Sequence, residues 1–174
     1  MSGAPHEPAV VSTVYTLTPA RPADAPFLLA VYTSTRADEL AQVDWSVEQK
    51  QTFVAMQYNA QASHYARVYP DAEYYIIQCG GAPAGRLIVQ RGRNALLLMD
   101  IALLPQFHRA GTGSAVIRDL MDEARRAAVP VVLHVENFNP ARRLYERLGF
   151  SVRAEEGFYL EMEWQPKEDQ PDEC

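Results

Sequence analysis

Apolar and polar positions along the chain follow two rhythms, and the switches between them mark the elements. "VYTL" from Val14 alternates as a first strand does. In "RPADAPFLLAVYTST" the apolar residues Phe27, Leu28, Val31 and Tyr32 fall on one helical face. Pro22 there suits a first turn, and Asp24 suits the positive end of the helix dipole. "DWSVEQKQTFVAMQYNAQASHYARVYP" predicts a longer helix. Ser46 and Gln49 have capping-box spacing, Phe53, Met56, Gln57, Ala60 and His64 recur at helical intervals, and Pro70 ends the run.

The rhythm then shortens. "EYYIIQC" and "AGRLIVQR" are strands joined by the turn "GGAP", and "RGRN" leads into a third strand, "ALLLMDIALL". "GSAVIRDLMDEARRAA" returns to helical period, with Val116, Ile117, Leu120, Met121, Ala124 and Ala128 three and four apart. "VVLHV" after Pro130 is a short buried strand. Asn139 caps a helix with Pro140 in its first position and Gly149 at its stop. "GFSVRAE" and "GFYLEMEW" close as a hairpin. The order implies an α/β class fold, a mixed sheet with helices on both faces.

Length and composition narrow this reading. The 174 residues suit one domain, expected over 13–164, between a frayed segment at 1–12 and an acidic solvated tail at 165–174. A formal net charge of −6 excludes a general binder of nucleic acid or of anionic membranes. The start, "MSGAPHEPAV", lacks a basic stretch followed by an apolar core, and the longest apolar run is broken by Asp100. Cys79 and Cys174 read as free thiols. A cytoplasmic protein without membrane or nucleic-acid partners is expected.

The candidate chemistry lies in "FHRAGTGSAV", where Gly111 and Gly113 bare the backbone just as a helix begins. A helix start directs unpaired N–H groups outward with the positive dipole end behind them. Glycines there let an anion reach the main chain, which makes a phosphate cradle. A plain tight strand-to-helix turn would use the same residues. A dinucleotide fingerprint is excluded, since Val116 stands where its third glycine is needed. A P-loop is excluded because Gly80 to Gly85 is followed by Arg86 and Leu87.

Farther on, "HVENFNPARRLYERLGF" supplies a second pattern. Together the two segments resemble the Gcn5-related N-acetyltransferase (GNAT) family, with its R/Q-x-x-G-x-G/A loop and, later, N-x-x-A-x-x-L-Y-x-x-x-G-F. His108, Arg109, Ala110, Gly111, Thr112 and Gly113 occupy the first pattern; Asn139, Ala141 to Arg143, Leu144, Tyr145, Gly149 and Phe150 fit the second. The resemblance is firm from about Tyr74 to Trp164 and looser over the two N-terminal helices. His108 departs from it, standing where the family has Arg or Gln.

The resemblance implies a GNAT-like acyl-CoA N-acyltransferase fold, whose mostly antiparallel central sheet is splayed at a bulge. It also implies transfer of acetyl from acetyl-CoA to a primary amine, with no metal. The N–H groups from Arg109 to Ser114 would hold the pyrophosphate, with His108 giving a weaker or pH-dependent contact. The strand ending at Ile101, Ala102 and Leu103 would bulge and free its peptide groups for the pantetheine arm, Leu103 N–H being the oxyanion donor. Asn139 is a helix cap that would also touch the pantetheine. Tyr145 would be the general acid, because a phenol near its ordinary pKa of about 10 keeps its proton at neutral pH.

Asp100, in a run that otherwise reads as buried, either faces the cleft as base or amine anchor or is paired inside the sheet. Leu97 stands where many relatives carry a glutamate, and Glu136, His134 and His64 are weaker base candidates. Tyr74, Tyr75 and Tyr159 are candidates to line the acceptor pocket. A homodimer is compatible with the family's habits. The reading from another class is a GNAT-fold module that binds acyl-CoA without turnover, as a sensor or scaffold.

Overall fold

The computed structural model describes residues 14–167. The segment expected at 1–12, Cys174 and most of the acidic tail lie outside them. In chain order the elements are β1 (Tyr15–Pro19), α1 (Ala25–Thr35), α2 (Ala37–Ala41), α3 (Val47–Val68), β2 (Glu73–Cys79), β3 (Ala82–Arg91), β4 (Leu96–Leu103), α4 (Thr112–Ala127), β5 (Val131–Glu136), α5 (Ala141–Arg147), β6 (Ser151–Glu156) and β7 (Tyr159–Trp164). The one helix that periodicity does not anticipate is α2, five residues too short to show a period.

Local chemistry sets the ends as expected. The Ser46 hydroxyl accepts from Gln49 N–H at 3.2 Å while Gln49 Oε1 accepts from Ser46 N–H at 2.8 Å, closing the capping box of α3. Asn139 Oδ1 accepts from Ala141 N–H at 2.9 Å, which starts α5. Ala128 takes a left-handed conformation at φ 54° and ends α4 instead of extending its buried stripe.

The sheet order is β1-β2-β3-β4-β5-β7-β6. Every pair is antiparallel except β4–β5, which is parallel. One face carries the main core: Ile77, Leu87, Val89, Leu98, Leu133 and Met162 from strands meet Val116, Ile117, Leu120 and Tyr145 from α4 and α5. Strand alternation turns Ile76 and Ile88 to the opposite face, where α1 and α3 add Val31, Tyr32 and Val54.

The sheet-facing side of α3 differs from the expected one. Met56 is 60% exposed and His64 is exposed, whereas Val54 is buried and Gln61 reaches a strand arginine. The inward stripe is Val54, Tyr58, Gln61 and Tyr65, at spacings of four, three and four. A count of purely apolar residues passes over it because tyrosine and glutamine supply most of it.

Two irregularities shape β4. Ile88 pairs with Asp100 while Val89 pairs with Leu98, so Met99 is an extra residue, a bulge on β4. Pairing with β5 stops nearby, after Leu96↔Val131, Leu97↔Val132 and Leu98↔Leu133. Beyond Leu98 the two strands part, in line with the splay expected of this fold, and the bulge sits just ahead of Ile101–Leu103.

Across from the parting, Gly85 holds β3 close to β4. A β-carbon on Gly85 would lie 2.1 Å from Ala102 O and 2.8 Å from Leu103 Cδ2. Gly85→Ala is therefore expected to destabilise the fold by roughly 1–3 kcal/mol, as overpacking does. A thermal melt checks this, and an unchanged Tm would contradict the close approach.

Candidate active site

Where β4 leaves β5, its peptide groups lose their partner on one side. Leu104 N–H donates to Ala84 C=O at 2.8 Å, so position 104 faces β3. Strand alternation then turns the N–H groups of Ile101 and Leu103 the other way, into the gap. Ala102, opposite Arg86, keeps its pairing with β3. His108 is placed differently from expectation. Its Nε2 lies 2.8 Å from Leu103 C=O, so in the tautomer that donates there the imidazole anchors the end of β4.

The loop after β4 rises into α4 through two left-handed residues, Arg109 at φ 62° and Gly111 at φ 81°. The helical ladder begins with Ala115 N–H to Gly111 C=O at 3.0 Å, so the amides of Thr112, Gly113 and Ser114 head α4 with no partner inside it. Thr112 is buried and its hydroxyl lies 3.6 Å from Cys79 Sγ, which fixes the head of the helix from β2. Arg109, Ala110 and Gly111 are exposed. Gly111 is required by its φ. Gly113 is not required by packing, because the nearest atom to a β-carbon there is Leu103 Cδ1 at 3.8 Å. The contact also places the head of α4 beside the end of β4.

Tyr145 reaches the gap from α5. Its ring packs on Phe150 at 5.8 Å, and the residue is 9% exposed. Burial, reinforced by the negative charge of Asp100, pushes its phenol up to about 12, so it holds its proton through the neutral range. Among the described residues its hydroxyl has no hydrogen-bond partner. The cleft that Tyr145 lines has a volume of about 310 Å³ and also takes in Asp100, Ile101, Ala102, Glu136, Asn139 and Tyr159.

Asp100 satisfies both of its alternatives. It lines the cleft, and its Oδ2 accepts from Arg86 Nε at 2.6 Å. The Arg86 side chain is 5% exposed and that of Asp100 26%, so the carboxylate keeps an open side. The same guanidinium donates to Gln61 Oε1 at 3.1 Å and lies 5.4 Å from the Tyr32 ring. Arg86 thus ties α1, α3 and β4 together, a role that the sequence reading does not assign. A signal exists: one arginine interrupts "AGRLIVQ" as one aspartate interrupts "LLLMDIALL". Burial, with the Asp100 charge next, also pushes the Tyr65 phenol up to about 12, placing a second proton-holding tyrosine on the cleft wall.

The weaker candidates divide. Glu136, His134 and Tyr159 line the cleft, His134 bonding Glu161 Oε2 at 3.2 Å. His64 lies outside it on the exposed side of α3. Tyr74 and Tyr75 line a separate, smaller pocket beside α3, and the Tyr75 hydroxyl is held by Glu73 at 2.5 Å. No described helix is long and apolar enough to cross a membrane.

Comparison with known proteins adds to this geometry. No curated protein matches the sequence. Among solved structures, the fold is similar to a PaiA N-acetyltransferase from Thermoplasma acidophilum in complex with coenzyme A. The TM-score is 0.67 at 15% identity, covering 87% of this chain and 99% of that one. Ard1 from Thermoplasma volcanium matches with a TM-score of 0.60 at 18% identity over 88% and 99% of the two chains. The ribosomal-protein-S18-alanine N-acetyltransferase from Escherichia coli matches with 0.57 at 23% identity over 91% and 98%. A family model described as the acetyltransferase (GNAT) family matches residues 35–150, and with the parted strands and the glycine-headed helix in place, the chain belongs to the GNAT acetyltransferases.

Proposed function

We propose that this chain transfers the acetyl group of acetyl-CoA to a primary amine by direct attack. The observation that carries the reading is the grouping, around the parted strands, of the head of α4, the N–H groups of Ile101 and Leu103 turned into the gap, the buried Tyr145 hydroxyl and Asp100. The structural neighbour with coenzyme A bound supports the choice of cofactor. The residues present also fit it. The space beside Gly113 is left open by packing, and a pyrophosphate placed there would meet several backbone N–H groups at a positive dipole end.

Acetyl-CoA, when bound, supplies an activated acetyl thioester. The amides from Arg109 to Ser114 hold its pyrophosphate. Ile101, Ala102 and Leu103 align its arm along the free side of β4, much as a further strand would pair there. Leu103 N–H is the donor for the carbonyl oxygen that gains charge, and His108, bonded to the same residue's C=O, keeps that peptide unit oriented. Tyr145 Oη keeps a proton ready for the leaving sulfur. Asp100 holds the incoming amine and accepts its proton through water. Asn139 fixes the start of α5 and so the reach of Tyr145.

Gly113→Ala is expected to leave Tm unchanged while weakening acetyl-CoA binding by calorimetry about tenfold, or ~1.4 kcal/mol. Full affinity in the folded variant would remove the cradle assignment. Tyr145→Phe should lower kcat by roughly 10²–10⁴-fold and leave acetyl-CoA affinity near wild type, since the ring still packs and only the proton donor is lost. Normal turnover by this variant would make Tyr145 structural. Retained binding without turnover by the unmodified protein, on pooled amines, would favour the sensor reading.

Asp100→Asn strands a buried guanidinium and should cost about 3–5 kcal/mol, while adding Arg86→Met should recover much of that loss. The acceptor KM should stay raised in both variants. Kinetics that recover together with stability in the double variant would make Asp100 purely structural.

A further inference from the structure

We infer that the acceptor is a linear aliphatic amine bearing a second positive charge, and that Glu136 is the residue that selects it. This rests on the acetyl-transfer reading above and names its substrate class.

The charges lining the cleft are unequal after pairing. Arg86 is bound to Asp100 at 2.6 Å and Arg36 to Glu39 at 3.0 Å, and the Arg36 guanidinium also donates to the Tyr32 hydroxyl at 3.3 Å. Each arginine charge is therefore matched by a carboxylate, although the buried Arg36 Nε has no hydrogen-bond partner among the described residues. His134 is likewise engaged by Glu161 at 3.2 Å. The remaining charge is Glu136, half-buried in the cleft wall, whose carboxylate makes no hydrogen bond or ion pair with any described residue. A half-buried carboxylate gains most from a cation that brings its own positive charge to it.

A second, independent feature points to a ligand in the same cleft. The Tyr145 hydroxyl, on a residue only 9% exposed, has no partner among the described residues and opens on this space. The cleft's volume of about 310 Å³ is in the range of small-molecule sites, roughly 300–1,000 Å³.

Position gives the two ends of the ligand separate hosts. Asp100 stands on β4 and Glu136 on β5, on opposite banks of the gap and on the same face of the sheet. The register Glu136↔Tyr159, His134↔Glu161 and Val132↔Glu163 continues that face outward with two more carboxylates. Their partners are His134 and Arg153, the latter 3.2 Å from Glu163. The reacting amine sits at Asp100 and Tyr145, and the distal ammonium at Glu136.

Three acceptors of one length separate the possibilities: butylamine, 1,4-diaminobutane and 4-aminobutyrate, each assayed by release of free CoA. The expected order of kcat/KM puts the diamine at least about tenfold above butylamine and 4-aminobutyrate last, with the preference shrinking in high salt. Glu136→Gln should lower the diamine-to-butylamine ratio about tenfold, and Glu136→Asp should retain part of it. Equal use of all three amines overturns the inference, as does a preference for 4-aminobutyrate. A Glu136→Gln variant slowed alike on all three also overturns it, because that is the behaviour of a general base. Turnover of none of them by protein that binds acetyl-CoA overturns this inference and leaves the cofactor reading standing. Failure to bind acetyl-CoA removes the reading on which both rest.

Discussion

The structure depends on the place where β4 stops pairing with β5. Three residues of parallel ladder, ending at Leu98 and Leu133, join the two halves of a seven-stranded sheet. The extra residue, Met99, follows at the point where β4 loses its pairing with β5. Unpaired peptide groups inside a protein are costly, and a sheet would ordinarily continue the ladder. Here the gap stays open because each bank is held from its far side. Gly85 draws β3 against β4, and β7 pairs with β5 along its whole length. The His108 ring takes up one of the freed carbonyls. What remains unpaired is a short run of backbone that a ligand can complete.

Around that gap the side chains come from both faces of the sheet. Tyr145 belongs to the core face and Asp100 to the face under α1 and α3, and only a parted pair of strands lets them share one cleft. Their surroundings differ. The phenol is raised by burial and by the aspartate charge, while the aspartate is held by a guanidinium almost wholly out of solvent. Arg86 also bonds Gln61 and lies against Tyr32, so α1 and α3 are tied to the same carboxylate that lines the cleft. The stability of the fold and the shape of the cleft are therefore coupled at Asp100.

Much of this was legible in the sequence wherever the signal is local. The capping pair Ser46 and Gln49, the cap at Asn139, the stripe of α4 and the glycines at its head are short-range facts, and each appears where its spacing puts it. The two segments around Gly111 and Tyr145 together carried the family. Contacts between distant residues were harder to read. Asp100 interrupts an apolar run, yet nothing near it in the chain says that its partner is Arg86, fourteen positions earlier on the neighbouring strand. His108 could be placed on the loop but not turned toward Leu103. The inward stripe of α3 was missed because an amphipathic tyrosine is neither clearly core nor clearly surface until the opposing strand is known.

The central claim is that the free side of β4 and the head of α4 form one continuous cofactor site. Backbone amide chemical shifts of labelled protein, followed during titration with acetyl-CoA, test it most directly. The account predicts that the largest changes fall on Ile101, Leu103 and Gly111 to Ser114, saturating together with one affinity, while the amides of β1 and β2 stay still apart from Cys79. Shifts confined to another surface, or none along β4 at saturating acetyl-CoA, would contradict it.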